Sequence, residues 1–215
     1  MNWITLLAVA TASAIGLYFF IKIRRASRMR YIERYHFHEA LITKLSAKHP
    51  HLSEPQIELV FQALRQYFHM CNHAGRKMVA MPSQVVDDVW HEFILFTRAY
   101  ANFCSRAFGR YLHHTPAEAM QTNTVAQDGI KRAWRLACHH EKISPKNPER
   151  LPLIFAIDAQ LNIPNGFVYT LNCSDKNTGY CASHIGCSAG CAGGSGGFFD
   201  GGGSGDAGGC GGGGD

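Results

Sequence analysis

The chain has 215 residues, 46% of them hydrophobic, and a formal net charge of +5 at pH 7. Lys22, Arg24, Arg25, Arg28, Arg30 and Arg34, set against Glu33, already account for that charge, so the remainder is neutral overall. That distribution argues against a nucleic-acid-binding surface spread over the domain, and no nucleic-acid partner is expected.

Trp3 to Ile21 is a run of 19 residues without a charge. As a helix it spans roughly 30 Å, the thickness of a bilayer's hydrocarbon core. Trp3 and Tyr18-Phe19-Phe20 suit the two interfaces, and the basic run from Lys22 predicts a cytoplasmic flank. A cleaved signal peptide is the competing reading, but Met1-Asn2-Trp3 lacks a positive n-region and the apolar run is long for an h-region. We therefore expect residues 1–22 to be a transmembrane anchor and 23–34 a basic juxtamembrane segment that also suits anionic lipid. The soluble domain falls in residues 35–173, enough to bury its own core.

Ser27–Lys48 reads as a first helix, with Tyr31, Tyr35, His38, Leu41, Ile42 and Leu45 at three- and four-residue steps. Pro50 ends it. Ser53-Glu54-Pro55 predicts the next helix start, with an N-cap serine and a first-turn proline. This helix carries Ile57, Val60, Phe61, Leu64, Phe68 and Cys71 on one stripe and stops near Gly75. Its opposite face holds Glu58, Gln62, Arg65, His69 and His73. The last two have the i, i+4 spacing of helical metal pairs, although a solvated face is the simpler account.

Pro82-Ser83 opens a third, long helix that Gly109 ends. Val86, Trp90, Phe93, Thr97, Tyr100, Cys104 and Phe108 share its core stripe, while Asp87 and His91 stand one turn apart on the opposite side. We expect Ser83–Pro116 to be the packing centre. Thr115-Pro116 starts another turn or helix, and Val125–His140 predicts a further helix. Leu151–Leu161 reads as a short apolar helix and Gly166–Cys173 as extended. From Gly186 glycine dominates, and 174–215 is expected to be a disordered Gly/Cys-rich tail.

Cys71, Cys104 and Cys138 sit singly in helical patterns, as small buried residues do, and no CxxC occurs among the eight cysteines. Reduced thiols agree with a cytoplasmic domain. No phosphate loop or HExxH is present, and the GxSxG at 193–197 and GxGxxG at 203–208 fall in the glycine-rich tail, without the strand-turn-helix context such motifs need.

Asp87, His91, Cys104, His113 and His114 are the candidate catalytic residues. His91, His113, His114, His69 and His73 are the candidate metal ligands, with zinc the cofactor such a set implies. On one continuous helix His91 and Cys104 stand roughly 20 Å apart along the axis and cannot share an ion. If the chain reverses near Gly109, His113 and His114 begin closer to Cys104 than to His91. A Cys104 nucleophile paired with His113 or His114 stays open, although its place on the core stripe favours an inert thiol.

Asp87-x-x-Trp90-His91, followed by Tyr100, Cys104, Phe108-Gly109 and His113-His114, resembles the glycine-rich domain-containing protein family of bacteria and plants. The LPLIFAID segment and the Gly/Cys-rich ending extend the likeness over most of residues 80–215. The resemblance implies a helical domain and carries no activity. RNA binding, known for some plant members, does not transfer without an RNP-type motif. The resulting expectation is an all-α protein with an N-terminal transmembrane helix, held in a bacterial inner membrane with its N-terminus outside and its domain and tail cytoplasmic. Its expected role is a membrane-tethered interaction or scaffolding module with a protein partner; the alternative is a metal- or cysteine-dependent enzyme centred on His91 or Cys104.

Overall fold

A computed structural model describes residues 2–114, 123–171, 180–181 and 185. These form seven helices: α1 (Trp3–Glu33), α2 (Glu39–Lys48), α3 (Glu54–Ala74), α4 (Gln84–Leu95), α5 (Thr97–Phe108), α6 (Asn123–Glu141) and α7 (Leu153–Gln160). Two short strands, β1 (Tyr169–Thr170) and β2 (Tyr180–Cys181), pair in parallel with Tyr169 opposite Tyr180. The all-α expectation holds. The tail expected over 174–215 and the turn expected at Thr115-Pro116 lie outside the described residues, apart from β2 and Ile185.

Helix α1 does not stop at the end of the apolar run. It continues unbroken through the basic segment to Glu33, and the expected helix boundary near Ser27 is absent. The break falls later, at 35–38, where Tyr35 and Phe37 turn into an aromatic cluster with Phe93 and Phe61. There the His38 Nδ1 accepts from the Ala40 N–H at 3.1 Å and starts α2. The large apolar side chains of α1 from Trp3 to Ile23 lie exposed. This helix is long and apolar enough to cross a membrane, a property that a signal sequence shares.

The packing centre is α3, which touches each of the other six helices. Ser53 opens it as expected, and Gln56 Oε1 accepts from both its N–H (2.8 Å) and its hydroxyl (3.0 Å). The stripe from Ile57 to Cys71 is buried, but so are Gln66, Tyr67, His69 and Asn72. Glu58, Gln62 and His73 on the opposite face remain exposed, as a solvated face requires, but His69 between them is covered by α1.

The predicted long helix from Ser83 is two helices. The chain turns at Phe96 (φ −78°, ψ 58°), and α5 folds back against α4. A straight helix from 84 to 108 would run about 37 Å and carry its second half away from the core. Folding back lets Phe93 on α4 and Phe103 on α5 meet at a centroid separation of 5.3 Å, with Phe68 of α3 4.8 Å from Phe103. Of the predicted stripe, Val86, Trp90, Phe93, Tyr100, Cys104 and Phe108 are buried, and Thr97, beside the turn, is exposed. Gly109 ends α5 in the left-handed conformation (φ 69°), with the Arg28 guanidinium lying where a Cβ would project.

Two buried carboxylates lock α4 in place. Asp158 of α7 accepts from the Ser83 hydroxyl (2.7 Å) and from the N–H groups of Gln84 (2.6 Å), Val85 (3.2 Å) and Phe167 (2.9 Å). It thereby caps the N-terminus of α4 from another helix. Asp88 meets Lys48 Nζ and His49 Nε2, both at 2.9 Å, and Gln84 Nε2 at 3.0 Å. Burial pushes its pKa up, but those three partners outweigh burial and hold it below the usual carboxylate value.

Candidate metal centre

Helical geometry puts Asp87 and His91 one turn apart on α4, and Trp90 between them points inward. The His91 Nδ1 lies 3.4 Å from Asp87 Oδ2. What completes the arrangement comes from beyond α5. The Trp90 indole N–H donates to the Tyr100 hydroxyl (3.1 Å), which in turn donates to the Leu112 carbonyl (2.6 Å). This buried relay ties α4, α5 and the 110–114 connection together. Two residues later His114 lands on the outer side of α4. Its ring packs edge-on to Trp90 at 4.7 Å and against His91 at 4.1 Å. His114 Nε2 then lies 2.9 Å from Asp87 Oδ1.

One carboxylate thus faces two imidazoles, one oxygen toward each, and one ligand atom from every member lies within 4.8 Å of the others. Ligand atoms around a tetrahedral zinc ion stand about 3.4 Å apart, close to the spacings found. The His114 side chain is 13% exposed, that of Asp87 21% and that of His91 49%. The group is therefore supported from below and open to solvent on the His91 side. Two histidines and a carboxylate are a donor set suited to zinc and to other divalent transition metals. Three protein ligands leave a coordination position free, the pattern of catalytic rather than structural zinc.

The expectation that His114 would begin nearer Cys104 than His91 is corrected, because the fold-back at Phe96 returns the chain to α4. His113 points elsewhere, is exposed, and packs on Tyr111 at 4.9 Å. Cys104 is fully buried next to Tyr100, and burial raises its thiol pKa. His69 is buried and held by Glu33 at 2.8 Å and by Met29 Sδ at 3.0 Å. His73 is exposed and packs against His139 at 5.7 Å. His69 and His73 therefore do not join the Asp87 group.

Sequence reasoning missed three polar features. Asp88 and Asp158 carry little local signal, since apart from Gln84, one turn before Asp88, their partners lie on other elements. The third is a polar cavity of about 520 Å³ bordered by Glu33, Arg65, Gln66, His69, His140 and Glu141. Its members come from α1, α3 and α6, and no spacing within one helix reveals it.

Cys71, Cys104 and Cys138 are free thiols, whereas Cys181 is disulfide-bonded. The expectation of reduced cysteines holds for the helical core and not for β2.

No curated protein and no solved structure matches the chain. One family model matches, over residues 27–188, which takes in every helix from α2 to α7 and leaves out the apolar part of α1. That match covers well over half of the sequence, and the chain belongs to the UCP032817-like family.

Proposed function

We propose that this protein is a membrane-anchored helical domain that holds a divalent transition metal, zinc foremost, through Asp87, His91 and His114. The observation that carries the reading is the single carboxylate placed 2.9 Å from one imidazole nitrogen and 3.4 Å from the other. A carboxylate orienting two histidines also occurs as a plain hydrogen-bonded group, and metal binding separates the two cases. With zinc bound, the open position facing solvent would hold water and lower its pKa, or polarise a ligand arriving from outside. The likeness to glycine-rich domain-containing proteins belongs to this reading, because its Asp87-x-x-Trp90-His91 motif supplies two ligands and the indole beneath the third.

An interaction module was the first expectation. The exposed large apolar residues of the domain, Ile42, Leu95, Tyr111 and Val168, are scattered over α2, the end of α4 and two connections. They give that role less support than the metal group gives the alternative.

The test is metal content after chelation and reloading of the full chain with zinc. Native protein and the His113→Ala control should each retain one ion in excess of His91→Ala and His114→Ala, with circular dichroism unchanged. Equal retention in all four, at any level, would overturn the site.

The anchor reading places α1 across the membrane with the domain on the side of the basic flank, in the cytoplasm. The exposed apolar length of α1 and the charges from Lys22 onward support it. The Cys181 disulfide argues for an oxidising compartment instead. A reporter fused after Asp215 decides between them: cytoplasmic activity supports the anchor as drawn, and an external signal reverses it.

A further inference from the structure

Helices α3 and α5 both run antiparallel to the second half of α1. Along α1, Glu33 and Met29 meet His69 of α3, while Arg25 lies close enough to His73 to depress its pKa together with burial, the larger cause. On the other side Tyr31 meets Phe103 of α5 (5.9 Å), and Arg28 lies over Gly109. The C-terminal ends of α3 and α5 therefore sit level with Arg25 and Arg28. Those residues follow the apolar run by four to seven positions, an axial rise of about 6–11 Å.

That end of the domain is strongly basic. Arg76 and Lys77, just beyond α3, are exposed, and Arg110, just beyond α5, donates to the Gly75 carbonyl and joins the two ends. They add to the collar of Lys22, Arg24, Arg25, Arg28 and Arg30. No acidic residue occurs in 22–32, in 59–86 or in 93–114. Asp128 of α6, near this end, is accompanied on its own helix by Lys131 and by Arg132, which reaches the Met78 carbonyl. The acidic residues of α3, Glu54 and Glu58, stand at its opposite end.

Basic side chains also serve helix C-termini and membrane topology without any lipid. Those roles account for the collar and for Arg110. Arg76 and Lys77 also follow a helix C-terminus, but their side chains are exposed at the end of the domain that carries the collar, where they are open to a surface.

We propose that this face, formed by the α1 collar with Arg76, Lys77 and Arg110, docks on the headgroups of an anionic phospholipid bilayer. The proposal rests on α1 spanning that bilayer. A continuous helix joining span and domain sets the face toward the headgroups, and positive charge near an anionic surface is attracted within a Debye length.

The experiment compares full-length protein in nanodiscs of phosphatidylcholine alone and of phosphatidylcholine mixed with phosphatidylglycerol, by hydrogen exchange at 74–79 and 108–112. Docking predicts slower exchange at both segments in the anionic discs only. The protection should disappear at high salt and fall about fivefold for each charge removed in Arg76→Gln and Lys77→Gln. Equal exchange in both discs overturns the proposal and leaves the anchor standing. Failure of the chain to co-purify with either disc removes the anchor, and the docking with it.

Discussion

His114 Nε2 lies 2.9 Å from Asp87 Oδ1, although 27 residues separate them. Helix geometry alone joins Asp87 to His91; a chain reversal and a buried relay through Tyr100 bring the third member. If the group binds zinc, metal at about one hundred times its dissociation constant should stabilise the native chain by about 2.7 kcal/mol. His114→Ala should abolish that increment while costing about 1–3 kcal/mol without metal, since a largely buried ring and its bond to Asp87 are lost. Thermal melts with zinc and with chelator measure both.

Tyr100 is the piece that delivers His114. Tyr100→Phe leaves the Trp90 indole N–H and the Leu112 carbonyl without this buried partner and should cost about 1–3 kcal/mol in urea unfolding. Metal affinity should fall as well, although no ligand is altered. A Tyr100→Phe protein that is destabilised yet binds zinc as tightly as the native chain would show that the relay does not position the site.

Asp158 should behave as a structural carboxylate. Burial raises its pKa, while its four hydrogen bonds pull the other way. Asp158→Asn turns an amide toward N–H donors that need an acceptor, and Asp158→Ala removes the acceptor altogether. Either should destabilise by about 3 kcal/mol or more, with hydrogen exchange rising first at 83–86.

Acid should weaken the fold through the histidines between α3 and α6. Burial depresses the pKa values of His140 and His73, with further lowering from His69 and His139 at His140 and from Arg25 and His139 at His73. Glu141 and Glu33 oppose the shift at His140. A histidine whose pKa is lowered by folding takes up its proton first in the unfolded chain, so stability falls as pH drops through about 6.5. Both rings are exposed at their edges, so solvent screening keeps the effect small. Urea midpoints in chelator at pH 7.5 and 5.5 should show the drop, and His140→Gln should lessen it.

The three core thiols should be silent in the native state. Burial pushes Cys71 up to about 12 and Cys138 to about 11, and raises Cys104. A thiol reagent at pH 8 should label all three only at the rate of unfolding, which mass spectrometry of the modified peptides can follow. Rapid native labelling of Cys104 would instead restore the cysteine-enzyme reading.

Much of the helical pattern was legible locally. Ser53 and Pro55 marked the start of α3, Gly109 marked the end of α5, and the stripe from Val86 to Phe108 marked a buried face. Local signals failed where neighbours decided. No glycine or proline announces the turn at Phe96, because it is driven by Phe93 and Phe103 meeting around Phe68. His69 looked solvated on a helical wheel, and Glu33 of another helix encloses it.

The sequence by itself determined the all-α class, the start of α3 and the end of α5, an apolar segment long enough to cross a membrane, and the Asp87–His91 pair, since periodicity, caps and charge runs act within a few residues. Only the tertiary structure decided that α3 is the centre, that His114 rather than His113 joins the pair, and that Arg76 and Lys77 share the face of the α1 collar. Those outcomes depend on which side chains meet after the chain folds back, and that is set by burial and hydrogen bonding between helices far apart in sequence.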